Sequence, residues 1–160
     1  MKRPPGVQTG ARGPGRTVTA MKVKYKLCAS NAVAPRRMTG GAAGFDLYAS
    51  CVRPSDGECR QIRVETDVAF EIPDGYCGLV VPRSSICRTG LRLANSVGVI
   101  DSDYRGTVSF VFDWRIGHVC RPGDRVGQIL FLALPDVELE QAAELSETDR
   151  GKGGYGSTGR

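Results

Sequence analysis

Residues 62–70 read IRVETDVAF, with Ile62, Val64, Thr66, Val68 and Phe70 at every second position. A period of two carries such residues onto one face of a strand, half-buried against a core. The rhythm continues in both directions. In 22–27 (KVKYKL) it puts Val23, Tyr25 and Leu27 on one side, and strand-like runs cover Tyr76 to Val81, Thr107 to Trp114 and Val126 to Leu134. Pro54-Ser55-Asp56-Gly57, Pro73-Asp74-Gly75 and Pro122-Gly123-Asp124 punctuate them as turns. Many short strands with regular turn signals predict an all-β barrel or sandwich. The one helix expected is short, over roughly Ser84 to Arg88. Residues 137–149 (VELEQAAELSETD) have some helical composition, but a position before a glycine-rich tail suits an extended arm equally well.

A chain of 160 residues fits one domain with a core of its own. No apolar run approaches the ~20 residues that cross a bilayer, so no membrane association is expected. The net charge of +5 suggests nucleic-acid binding until it is located. Lys2, Arg3, Arg12 and Arg16 lie in the first 20 residues, which hold no acid, and the remaining 140 net only +1. A domain that grips polyphosphate backbones carries its charge in the folded part, so no direct nucleic-acid binding is expected from it. Residues 1–21, rich in Pro, Gly and Arg, are expected to form a disordered basic arm. Met21 offers a second possible start. Cys28, Cys51, Cys59, Cys77, Cys87 and Cys120 include no CxxC pair, and His118 has no ligand-spaced neighbour that would make a zinc site. With no secretory apolar stretch at the N-terminus, they read as reduced thiols of an intracellular protein, nuclear or cytoplasmic and not secreted.

Three segments carry chemistry. In 97–106 (VGVIDSDYRG) an apolar run ends in Asp101 and Asp103. Their two-residue spacing at a strand end sets both carboxylates on one side of the backbone. One can then be held by an arginine while the other works as a general base. Alone, such a D-x-D reads more simply as a solvated turn. Pro82-Arg83-Ser84-Ser85 follows the apolar run 78–81; hydroxyls and N–H groups at the start of a short helix suit a phosphate, or merely a cap. In 150–160 (RGKGGYGSTGR) glycine N–H groups can wrap a polyphosphate, an arginine can pair with its end, and a ring can cover a base. The tail lacks the order of a Walker A loop, and taken singly it is a low-complexity terminus. His118 sits in a turn-like loop with no nucleophile elbow in the chain, which excludes a Ser-His-Asp hydrolase.

In combination the segments resemble the dUTPase family of the homotrimeric type. Its five short motifs stand here in the family's order: 43–48 (AGFDLY), 82–85 (PRSS), 98–106 (GVIDSDYRG), 123–128 (GDRVGQ) and 150–159 (RGKGGYGSTG). The resemblance covers roughly residues 22–160. It implies a distorted β-barrel or jelly roll with one short helix, in a homotrimer that swaps its C-terminal arms. The barrel would span 22–149, and 150–160 would be a mobile arm closing over the nucleotide. The implied reaction is hydrolysis of dUTP to dUMP and pyrophosphate, by Mg²⁺-assisted attack of water on the α-phosphorus. That reaction keeps uracil out of DNA and supplies dUMP. By the same resemblance, Asp101 would position the water and touch the 3′-OH, and Tyr104 would pack against C2′ and leave no room for a ribose hydroxyl. Asn95 and the hairpin through Gly98, Val99 and Ile100 would read uracil. Ser84, Gln128, Arg150, Ser157 and Thr158 would hold the phosphates, with Gln128 and Arg150 grouped with Asp101 as catalytic and Ser85 and Gly156 in the substrate-binding set. Tyr155 would stack over the base, and Asp46 would help place Mg²⁺ through water. Arg83, within the substrate-binding set, would act structurally by pairing with Asp103.

Departures from the family pattern are Ser85 for Gly, Ile86-Cys87 for Leu-Ala, Gly127 for Ala and Tyr155 for Phe. The run 83–91 (RSSICRTGL) is also similar to the R-S-S-x-x-R-x-G-L of dCTP deaminases, which share the fold. Those enzymes need a glutamate as proton shuttle in the strand after the third motif, where this chain has about Val111. A third reading keeps the fold as a signalling or interaction protein with weak turnover; the complete set Asp46, Ser84, Asp101, Tyr104, Gln128 and Arg150 speaks against it.

Overall fold

The computed structural model describes residues 20–54, 60–114 and 120–154. Among these, nine strands form: β1 (Lys24–Leu27), β2 (Phe45–Tyr48), β3 (Cys51–Pro54), β4 (Gln61–Glu71), β5 (Tyr76–Pro82), β6 (Leu91–Leu93), β7 (Gly98–Ile100), β8 (Thr107–Trp114) and β9 (Arg125–Ala133). One 3₁₀ helix spans Ser84–Arg88, where a short helix is expected. Two sheets, ordered β1-β4-β8-β6 with β3 also on β4, and β2-β9-β5-β7, make the all-β jelly roll. Most of the expected N-terminal arm, His118, Cys59, and Tyr155, Gly156, Ser157 and Thr158 lie outside the described residues.

Period-two patterning puts the core where the sequence places it. Ile62, Val64, Thr66, Val68 and Phe70 of β4 are all buried, and they meet Leu47, Val80 and Ile129 of the opposite sheet. Phe110 and Phe112, two apart on β8, point into the same space with rings stacked at 5.8 Å and 3°. The alternation breaks once. The β4–β8 register shifts between Glu65 and Ala69, and Asp67 takes φ 51°. A positive φ on a non-glycine residue needs support, and Ser50 Oγ supplies it by donating to Asp67 Oδ2 at 2.7 Å.

One expectation changes. β1 does not bury the face of Tyr25 and Leu27, which stay 51% and 42% exposed because β1 ends its sheet and nothing among the described residues covers that edge. Residues 137–149 make neither helix nor strand and are exposed throughout. Among the described residues no helix is long and apolar enough to cross a membrane.

Gly127, one of the departures from the family pattern, has a packing reason. A Cβ there would fall on Cε1 and Cζ of Phe110 and lie 2.9 Å from the Val81 carbonyl oxygen. The ring occupies the volume that an alanine would need. Gly127→Ala is therefore expected to lower stability by about 1–3 kcal/mol, measured as a drop in the thermal midpoint; an unchanged midpoint contradicts this packing.

Candidate active site

At one end of the β2-β9-β5 sheet, antiparallel register gathers groups from three motifs. Gln128 of β9 lies opposite Asp46 of β2 on one side and Val81 of β5 on the other. Arg83 and Ser84 emerge just beyond β5 at the same end. Asp46 is 8% exposed, and its carboxylate lies 3.4 Å from Arg83 Nε and 3.2 Å from Arg125 Nη1. Burying a carboxylate this deep is costly unless it is paired, and here a guanidinium stands on each side of it. Within the single chain Arg83 pairs with Asp46; the resemblance implies Asp103 as its partner. No side chain caps the 3₁₀ helix, so the cap reading of Ser84 and Ser85 does not hold. Gly44 closes the group: a Cβ there would meet Gln128 Oε1 at 2.6 Å and its Cβ and Cδ at 3.2 Å. The glycine gives the carboxamide its seat.

This donor set sorts the metal question. No three His, Cys, Asp or Glu gather as a metal cage among the described residues. Asp46 has a guanidinium against each carboxylate oxygen. Such a site does not suit a resident, protein-caged cation. A hard cation such as Mg²⁺ would keep several waters here and meet Asp46 through them.

The second group lies on the turn between β7 and β8. Tyr104 N–H donates to the Asp101 carbonyl at 3.2 Å, and Arg105 Nη1 donates to the Ser102 and Tyr104 carbonyls at 2.6 and 3.0 Å. The turn folds β8 back over β7 and leaves a cleft of about 150 Å³ lined by Val99, Ile100, Asp101, Tyr104, Thr107, Val108 and Ser109. Asp101 is exposed, with no cation on its carboxylate among the described residues. A carboxylate left free at the mouth of a small cleft, beside an aromatic ring, can hold a water and take its proton. Asn95 and Gly98 stand off from the lining; the Asn95 amide nitrogen is 3.6 Å from where a Gly98 Cβ would be.

The two groups do not meet within the chain. β7 pairs Ile100 with Gly78 of β5, whereas Gln128 pairs with Val81, and Arg83 follows two residues later. Gly78 to Arg83 is five steps of strand, roughly 16 Å. Arg150 is apart from both, exposed, with its Nε donating to the Gly153 carbonyl at 3.0 Å. Sequence reasoning missed Arg125, Gly44, Thr107, Val108 and Ser109. Arg125 carries a readable signal, a cation three residues before Gln128 in the same motif; the other four depend on which strands pair.

A family model described as dUTPase matches residues 30–159. A deoxyuridine 5′-triphosphate nucleotidohydrolase of Syntrophotalea carbinolica is 41% identical, over 90% of this chain and 99% of the relative. One of Eremothecium gossypii is 38% identical, over 88% and 93%. Among solved structures, a dUTPase of Staphylococcus bacteriophage 80alpha with dUPNHPP matches with TM-score 0.72 at 26% identity, covering 88% of this chain and all of that one.

Beside the first group lies a cavity of about 260 Å³ whose lining includes Arg83, Ser85, Cys120, Asp124 and Arg125. Burial, and then the nearby Asp124 carboxylate, push the Cys120 thiol up to about 11. At pH 8 only about one molecule in a thousand carries the thiolate. Alkylation of Cys120 is expected to lag behind that of exposed Cys28, Cys51 and Cys87, and to keep rising about tenfold per pH unit to near pH 11. Peptide mass spectrometry checks this; Cys120 reacting first at pH 8 contradicts it.

Proposed function

The chain belongs to the dUTPase family, and on that footing we infer that it hydrolyses dUTP to dUMP and pyrophosphate, at sites shared between the subunits of a homotrimer. The observation that carries the reading is the free carboxylate of Asp101 beside the Tyr104 ring in one small cleft. Asp101 holds the attacking water, takes its proton and touches the 3′-OH. The Tyr104 ring stands against C2′, where a ribose hydroxyl collides with it. Backbone groups of Gly98, Val99 and Ile100, with Asn95, read the uracil. Ser84, Ser85 and Gln128 orient the phosphates, and Arg83 and Arg125 hold Asp46 beside them. Arg150, Gly156, Ser157 and Thr158 come from the 150–160 arm, which closes over the nucleotide, excludes water and stacks Tyr155 on the base. Asp46 would hold Mg²⁺ through water, and the ion would supply neutralisation of charge on the triphosphate.

Sharing between subunits is supported by the separation of the two groups along β5. Two further surfaces support it. The exposed segment past β9 alternates Val137 and Leu139, 65% and 93% exposed, with acids Asp136, Glu138 and Glu140. The open edge of β1 borders a groove of about 770 Å³ with Lys22, Lys24 and Arg37 at its rim and Phe45, Phe70 and Phe131 in its floor. An acidic, alternating segment of one copy suits the cationic, apolar edge of another. The barrel of 22–149 is then the unit that trimerises. The five described cysteines are unpaired, which suits an intracellular, nuclear or cytoplasmic site. A deaminase reading is weaker, because Val111 on β8, opposite Arg63, carries no proton-transferring group.

Purified protein with Mg²⁺ and dUTP, dCTP, dTTP or UTP in separate tubes is expected to give dUMP from dUTP and no product from the others. Intact dUTP, or dUTP made from dCTP, overturns the reading. Asp101→Asn is expected to bind nucleotide and lose about 10²–10⁴ in turnover; a rate near that of the unaltered protein contradicts the role of Asp101. Truncation before Arg150 is expected to abolish turnover while the thermal midpoint is retained, and full turnover of the truncated chain contradicts the role of the arm.

A further inference from the structure

We propose that Gly106 is a specificity-determining residue for the sugar: the hydrogen in place of a side chain there is what lets the Tyr104 ring stand where it excludes a 2′-hydroxyl. The proposal rests on the reading of Tyr104 given above. Tyr104 is held at three points. Its N–H donates to the Asp101 carbonyl, its hydroxyl donates to the Thr107 carbonyl at 3.3 Å, and its ring lies against Gly106. A Cβ at position 106 would fall on the Tyr104 hydroxyl and Cζ and lie 3.0 Å from Cε2.

The backbone does not demand glycine here. Gly75 and Gly123, with φ of 78° and 91°, sit in the left-handed region, but Gly106 does not. An alanine can therefore take the same backbone, and the collision with the ring is the whole consequence. Tyr104 is 44% exposed, so its ring can swing aside without opening the core. The hydroxyl then leaves the Thr107 carbonyl, and the wall of the cleft next to Asp101 moves. Discrimination between sugars depends on that wall, whereas the Asp101 carboxylate, three residues before the ring, stays on its own strand end.

Gly106→Ala is expected to keep its thermal midpoint within about 5 °C. Its preference for dUTP over UTP, as the ratio of kcat/KM values, is expected to fall by about 10-fold or more. Tyr104→Ala is expected to lose the same preference, and adding Gly106→Ala to it to change nothing further. A Gly106→Ala protein with undiminished preference, while Tyr104→Ala has lost it, overturns the proposal. If Tyr104→Ala itself keeps the preference, it is the reading of Tyr104 that fails. Should Gly106→Ala not fold, the double variant, in which the colliding ring is gone, is expected to fold; failure of both overturns the proposal.

Discussion

Strand β5 is hydrogen-bonded on both edges, to β9 and to β7, and those two registers govern everything that the site can do. Sliding either pairing by one residue would turn a buried face outward. Val80, packed in the core, holds the strand against that slip. With the registers locked, Gln128, Asp46 and Arg83 sit at one end of the strand and Asp101 at the other. Neither group can be brought to the other by a side-chain movement. The chain folds with the two groups apart, and the proposed function needs assembly to join them.

Packing and charge fix each half separately. In the first, Asp46 is held by Arg83 and Arg125, and Gly44 leaves space for Gln128. In the second, a turn clamped by Arg105 sets Asp101 beside Tyr104. Glycine has two separate uses in this fold. Gly75 and Gly123 supply left-handed backbone to turns, while Gly44, Gly106 and Gly127 supply room for a neighbour's side chain. The second use gives Gly127, a departure from the pattern that the motifs resemble, a packing reason: Phe110 has taken the volume.

The long elements were legible because their patterns are long. β4, β5, β8 and β9 each run seven residues or more, enough for alternation to show, and the turns at Gly75 and Gly123 carry their own chemistry. β2, β3, β6 and β7 have three or four residues each and exist through their partners, which no local pattern reveals. Tyr25 and Leu27 have the rhythm of a buried face and no cover among the described residues, since alternation reports what a face could bury and not what lies over it. In the site, the motifs named the candidate residues through resemblance to a family. Their partners were less readable. The Arg83–Asp46 pair spans 37 positions and depends on β2 meeting β9 beside β5, and Thr107 to Ser109 join the cleft only because the turn folds back.

Mixing two inactive chains tests the shared site most directly. One chain carries Asp101→Asn and the other Gln128→Ala, each crippling a different half, and the two are unfolded together and reassembled. If the halves come from different subunits, some sites in mixed assemblies pair an intact Asp101 with an intact Gln128, and dUTP hydrolysis returns well above that of either variant alone. If the mixture stays as inactive as its components while mixed assemblies are demonstrably present, the two groups act within one chain and the account is wrong.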